Sequence, residues 1–278
     1  MKNILCPIDF SEASIHALEF AADIGALEQG RLTLLNIFTP SEFNKILGSQ
    51  HVGEDYDKLL QAAELKLEAI AKEIMHLSGK KGLMECRHMI RSGEIVVKVS
   101  EVAKEEECDL IVIGTTGTSA FKKKYIGDNA TDIIQQTHCS VMCIPESHNF
   151  HGINRIVYAS DYQEEDKLAV QQIVRLAAST HAELKIVHIS HHDHAIDKAM
   201  YDAFVSELSG FIRYDRTTFD RLVFDHVAEG LDKYAREIEA DLLILLDKKL
   251  TKVEHLLHRS LTHHIDKFTD YPLLILKL

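Results

Sequence analysis

The chain has 278 residues, 46% of them hydrophobic and 27% charged, and its 31 basic against 43 acidic side chains leave a formal net charge of −12. That length suits two domains, each able to bury a core of its own, and the balance is that of a folded globular chain rather than a disordered one. The acidic excess argues against nucleic acid or anionic lipid as partners, because both select clustered positive charge, and no apolar run approaches the roughly 18 residues of a membrane span.

The amino terminus enters an apolar strand almost at once (Ile4-Leu5-Cys6-Pro7-Ile8-Asp9), without the apolar segment of a secretory leader. The five cysteines show no CxxC spacing, and several fall in or beside predicted strands. Buried reduced thiols and a reducing cytoplasm follow as expectations.

Helical spacing of Ala13, Ala17, Phe20, Ala21 and Ile24 predicts a helix from Ser11 to Leu27, with Ser11 as its N-cap. A second strand, Leu32–Ile37, leads into a polar stretch from Ser41 to Asp57 and then a long helix to Leu77. A third strand (Met84–Ile90), a helix (Ile95–Lys104), a fourth strand (Asp109–Ile113), a short helix (Ala130–Gln136) and a fifth strand (Val141–Ile144) complete the unit. Strands alternating with helices predict βαβ units and a parallel sheet, and uninterrupted apolar strands predict burial on both faces.

The same unit is then repeated. Adding 152 carries Ile4–Asp9 onto Ile156–Asp161 and Leu32–Ile37 onto Leu184–Ile189, while adding 132 carries Asp109–Ile113 onto Asp241–Leu245 and Val141–Ile144 onto Leu273–Leu276. The second copy has therefore lost 20 residues between its second and fourth strands. The expected organisation is two tandem α/β domains, 1–147 and 148–278, each with a five-stranded parallel sheet and helices on both faces, joined by the short segment Pro145–Gly152.

One pattern is confined to the first copy. Its fourth strand runs into Gly114-Thr115-Thr116-Gly117, nine residues intervene, and Gly127-Asp128-Asn129-Ala130 opens a helix. Glycine after a strand lets backbone N–H groups approach a ligand, and a helix N-terminus favours an anion, so the arrangement suits a nucleotide phosphate. With Pro7-Ile8-Asp9 and this G-x2-G-x9-G spacing, the chain resembles a tandem universal stress protein of the ATP-binding branch.

The resemblance implies that the first domain binds an adenine nucleotide, ATP or AMP, with Mg²⁺ where a carboxylate meets a phosphate. It places Asp9 near the ribose and metal, Pro7 and Ile37 beside the adenine, Ile113 and Gly114 at the strand end against the nucleotide, and Gly117, Gly127, Asp128 and Asn129 along the phosphates. It also implies a stress-response role without catalysis, with the second domain as a pseudo-dimer partner and room for a homodimer beyond it. One position departs from the pattern: Asp128 stands where the family has Ser or Thr. Like charges ~4 Å apart at an effective dielectric near 20 cost about 4 kcal/mol, or several hundred-fold in affinity. Lys122, Lys123 and Lys124 in the intervening loop would offset part of it.

In the second copy Leu246, Lys249 and Arg259 replace the three glycines, and side chains there would block a backbone approach to phosphate. Eleven of the 17 histidines follow Asn149. Two groups, His188, His191, His192 and His194, and His255, His258, His263 and His264, supply an alternative reading as a metal-binding module, though without a recognised ligand spacing. A further alternative is a scaffold whose nucleotide site Asp128 has abolished. The acidic runs Glu105–Glu107 and Glu164–Asp166 read as helix ends or solvated faces. No nucleophile elbow or Walker sequence is present.

Overall fold

A computed structural model describes residues 1–38, 54–115, 128–146, 152–247 and 271–278, and only the backbone of 54–56 and 128. The described residues up to Glu146 form one compact unit and those from Gly152 onward a second. In the first, β1 (Asn3–Pro7), α1 (Glu12–Leu27), β2 (Arg31–Phe38), α2 (Glu54–Ser78), β3 (Glu85–Ser92), α3 (Ile95–Glu105), β4 (Leu110–Thr115), α4 (Asp128–Gln136) and β5 (Ser140–Pro145) follow in chain order. In the second the order is β6 (Arg155–Ala159), α5 (Glu165–Thr180), β7 (Glu183–Ser190), α6 (Ala195–Ser209), β8 (Thr217–Val223), α7 (Val227–Glu237), β9 (Leu242–Asp247) and β10 (Leu273–Lys277).

Within the first unit the strands lie in the order β3-β2-β1-β4-β5, and within the second the equivalent order is β8-β7-β6-β9-β10. Every pairing inside each unit is parallel. The α/β fold with a parallel sheet expected from the alternating pattern is therefore present. Within each unit the chain reverses its progress across the strands between the first and the fourth, at β1/β4 and at β6/β9. Such a reversal opens a crevice beyond the carboxyl ends of the two strands.

The core explains why these segments are strands. Ile4, Leu5 and Cys6 of β1, Leu32, Leu34 and Leu35 of β2, and Leu110, Ile111 and Val112 of β4 are all buried, as strands covered on both faces require. On α1 the residues Ala13, Ala17, Phe20, Ala21 and Ile24 are buried at helical spacing. The helix begins where Ser11 Oγ accepts the Ser14 amide at 3.2 Å, the N-cap foreseen from the sequence.

The duplication extends to individual hydrogen bonds. Asp109 Oδ2, at the start of β4, accepts the amides of Lys2 and Asn3 at 2.7 and 2.9 Å. Asp241 Oδ2 accepts those of Asn154 and Arg155 at 2.7 and 2.8 Å. Each carboxylate ties the amino end of the fourth strand to that of the first, and the β1–β4 register continues from it with Ile4 opposite Leu110. The offset between copies is 152 at β7 and 132 at β8, so the 20 missing residues all lie between β7 and β8. There α6 has 15 residues against the 25 of α2.

Removing the tie should weaken the first domain alone. Asp109→Ala leaves two strand-end amides without their acceptor and is expected to cost about 1–3 kcal/mol. Urea unfolding should show the loss, and Asp241→Ala should give a matching one in the second domain.

Candidate functional site

The polypeptide leaves β1 at Pro7 and turns sharply before α1. Ile8 still pairs with β2 through its amide on Leu35 O at 2.8 Å, whereas Asp9 is exposed and Phe10 adopts the left-handed conformation with φ of 65°. Asp9 Oδ1 accepts from the Ser11 amide at 3.0 Å and the Ser11 hydroxyl at 2.5 Å. Partial burial tends to raise the Asp9 pKa, but the bonds from Ser11 and a further one from Ser14 outweigh it and hold the carboxyl below its ordinary value. The contribution of this anion to the turn is therefore present above the ordinary carboxylate pKa and is lost as pH falls through the lower folded value. At neutral pH the end of β1 carries a fixed negative charge beside the α1 N-terminus.

Around Asp9 the structure gathers most of the residues singled out from the sequence. Pro7 and Ile37, both half-buried, end β1 and lie near the end of β2, and Ile113, buried, and Gly114 lie near the end of β4. With β2, β1 and β4 adjacent in that order, these five residues flank the carboxyl-end crevice at the β1/β4 reversal. The α4 helix opens at Asp128, and Asn129 in its first turn is exposed. Gly117, Gly127, the Asp128 side chain and Lys122–Lys124 lie outside the described residues.

Gly114 has a packing reason for being glycine beside the one its motif suggested. A Cβ on it would sit 2.3 Å from Ala13 O and 2.5 Å from Ala13 C, so the residue lets the backbone of α1 lie against β4. Its φ is not in the left-handed region. The pressure at this position is internal packing, whatever a ligand adds. In the second domain Leu246 takes the place of Gly114, and the principal strand contact of α5 is with β7 rather than β9.

Several residues at the same end of the second domain were not foreseen. Asp166, expected at a helix end or on a solvated face, lies in the first turn of α5 but is 1% exposed. It accepts from the Tyr158 and Ser160 hydroxyls, each at 2.6 Å, and from the Gln163 amide at 3.2 Å. Burial and the adjacent Asp166 charge push the Tyr158 pKa well up, so its hydroxyl stays a donor. The first-domain counterparts are Cys6, Ile8 and Ser14, so three positions have changed together from mainly apolar to a hydrogen-bonded polar set. A polar residue recurring at one offset inside apolar strands was the available signal.

A second such pair is Asn36 and His188. Asn36 Nδ2 donates to Ile8 O at 2.7 Å, and His188 Nδ1 donates to Ser160 O at 2.8 Å, tying the ends of the first two strands in each domain. His191 Nδ1 likewise engages Asp225 O at 3.0 Å. Among the described residues no group of three or more His, Cys, Asp or Glu side chains is arranged to hold a metal ion. The metal reading finds no support at His188, His191, His192 and His194, and the second group, His255 to His264, lies outside the described residues.

The acidic run at the end of α3 behaves as expected, with Glu106 bonded to Arg87 at 2.6 Å and Glu105 3.6 Å from Arg91. None of the five cysteines is in a disulfide; four are buried and Cys86 is half-buried. A separate cavity of about 410 Å³ lies between α2 and the end of β3, lined by Leu60, Gln61, Glu64, Ile90, Arg91 and Ser92. It is lined by none of the crevice residues.

Both units are doubly wound α/β domains whose first- and fourth-strand ends meet in the manner of small-ligand-binding sheets. The chain belongs to the universal stress protein family, whose sequence model matches residues 1–145 and again 152–277. Among relatives, the universal stress protein MJ0577 of Methanocaldococcus jannaschii is 24% identical over 162 residues, covering 53% of this chain and 97% of that protein. The universal stress protein YxiE of Bacillus subtilis is 25% identical over 149 residues, covering 51% and 98% respectively. The fold is also that of a universal stress protein from Archaeoglobus fulgidus, with a TM-score of 0.72 at 19% identity over 99% of this chain and 96% of the other.

Two substitutions test this account of the two crevices. Gly114→Ala should destabilise the first domain by about 1–3 kcal/mol through overpacking, read by chemical denaturation. Asp166→Ala should cost the second domain about 3 kcal/mol or more, because it strands buried donors on Tyr158, Ser160 and Gln163, and Asp166→Asn should cost less. Losses well under about 1 kcal/mol from both Asp166 variants would show that its charge and bonds contribute little.

Proposed function

We propose that the first domain binds an adenine nucleotide, ATP or AMP, in the crevice between the ends of β1 and β4, and that the protein serves in the stress response by binding rather than by catalysis. The observation that carries this reading is the convergence of Pro7, Asp9, Ile37, Ile113 and Gly114 on the strand-order reversal. Asp9 supplies an exposed, ionised acceptor suited to ribose hydroxyls, and Pro7 and Ile37 offer apolar surface for a base. The α4 N-terminus at Asp128 and Asn129 supplies first-turn helix amides of the kind suited to phosphate, with Gly117 and Gly127 in the connecting segment. When Mg²⁺ accompanies the nucleotide, it would supply the positive charge that lets Asp128 and a phosphate share the site.

The second domain, with Leu246, Lys249 and Arg259 in place of the glycines, acts in this reading as the pseudo-dimer partner of domain 1–147 rather than as a second nucleotide site, and a homodimer of the whole chain is compatible with it. A cytoplasmic setting is supported by the five cysteines, none of them in a disulfide. None of the described helices is long and apolar enough to cross a membrane. One observation favours the rival reading as a scaffold without nucleotide: the packing of Gly114 on α1 accounts for that glycine without any ligand.

Chromatography of the supernatant after denaturing the purified protein distinguishes the two. The nucleotide reading expects released adenylate, or else calorimetric binding of ATP with Mg²⁺ that is lost in Asp9→Ala. Asp128→Ser should tighten that binding by tenfold or more, since it removes a like charge from the phosphate. Neither released nucleotide nor measurable binding in both the native chain and Asp128→Ser would leave the scaffold.

A further inference from the structure

The second domain carries a cluster at the ends of β6 and β7 that the first does not. His188 stacks on Tyr162 with ring centroids 3.8 Å apart and planes 23° from parallel. Tyr162 in turn lies 4.8 Å from Phe204 and 6.2 Å from Tyr201, both on α6. Its backbone is in the left-handed conformation with φ of 64°, its amide donates to Ser160 Oγ at 3.2 Å, and its buried hydroxyl has no partner among the described residues. The aromatic stack is therefore the chief contact that holds this side chain in place. Beneath it, the tie from His188 to Ser160 O does the work that Asn36 does in the first domain, but only the imidazole can take up a proton. With Nδ1 donating to a carbonyl, the neutral ring keeps its lone pair on Nε2.

We propose that this cluster is an acid-responsive latch: with His188 neutral, Tyr162 is shut against His188 and Phe204, and protonation of His188 releases the turn from Asp161 to Gln163. The charged groups around the ring come from three directions. Asp161 in the turn after β6 and Asp197 on α6 favour an imidazolium, whereas Arg221 on β8, bonded to Asp193, opposes it. Burial opposes it most, and the His188 pKa lies below its ordinary value. Closure is then at full strength above the pKa of a free imidazole, about 6.5, and weakens as pH falls below it until the latch's own pKa is reached. The Asn36 tie of the first domain has no such dependence. This inference does not rest on nucleotide binding.

Hydrogen exchange on the full chain tests it. After correction for the chemical pH dependence of exchange, amides of 160–163 should exchange faster at pH 5.5 than at pH 7.5, by up to roughly tenfold per pH unit between the two pKa values. His188→Asn, which installs the first-domain residue, should abolish that change. An unchanged rate in the native chain, or the same acceleration in His188→Asn, overturns the latch. Should the variant fail to fold, the His188 Cε1 proton titrated by NMR in the native chain decides: a pKa below about 6.5 with a concurrent shift at Tyr162 supports the latch, and a pKa at or above it refutes it.

Discussion

A carboxylate at the amino end of the fourth strand, holding the first two backbone amides of the chain's leading strand, is the contact on which each domain is registered. Asp109 and Asp241 make it with near-identical lengths in two sequences that have otherwise drifted far apart. With the Asp109 amide on Asn3 O at 2.9 Å, it joins the amino ends of the central pair of strands, which continue with Ile4 opposite Leu110. A tie at the amino ends of the strands can be kept while everything at their carboxyl ends changes.

That is the pattern of divergence between the halves. At the carboxyl ends Gly114 becomes Leu246, Cys6 becomes Tyr158, Ile8 becomes Ser160, Ser14 becomes Asp166 and Asn36 becomes His188. These changes are coupled: the leucine removes the room in which α1 lies on β4, and the polar set stitches the first turn of α5 to β6 through Asp166 instead. The loss of 20 residues falls in the connection holding α6. One half keeps an exposed Asp9 beside the strand reversal, and the other places hydrogen bonds and stacked rings at the equivalent position.

Strands and helices were legible because their cause is local. Apolar runs without alternation can only be buried parallel strands here, and the alanine-rich face of α1 has one side to bury. The 152 and 132 offsets exposed the duplication for the same reason, since core positions tolerate few residue types. The crevice was legible only in outline. Pro7, Asp9, Ile37, Ile113 and Gly114 converge because strand order brings them together, but the close approach of Ala13 O to Gly114 depends on a helix that no residue near Gly114 announces. Asp166 looked like one more acid in an acidic run, and only the fold brings Tyr158 and Ser160 to it. His188 likewise reads as one histidine among many until its partner Tyr162 is placed above it.

The thiols offer a last consequence. Cys6, Cys86, Cys108, Cys139 and Cys143 all belong to the first domain, and the second has none. Burial pushes the Cys143 thiol up to about 12 and the Cys6 thiol still higher, so at neutral pH these two carry hardly any nucleophilic thiolate. Alkylation of Cys6 and Cys143 in the intact protein therefore clocks the opening of one half only, and whatever slows that clock must act on, or through, the half with the glycine motif.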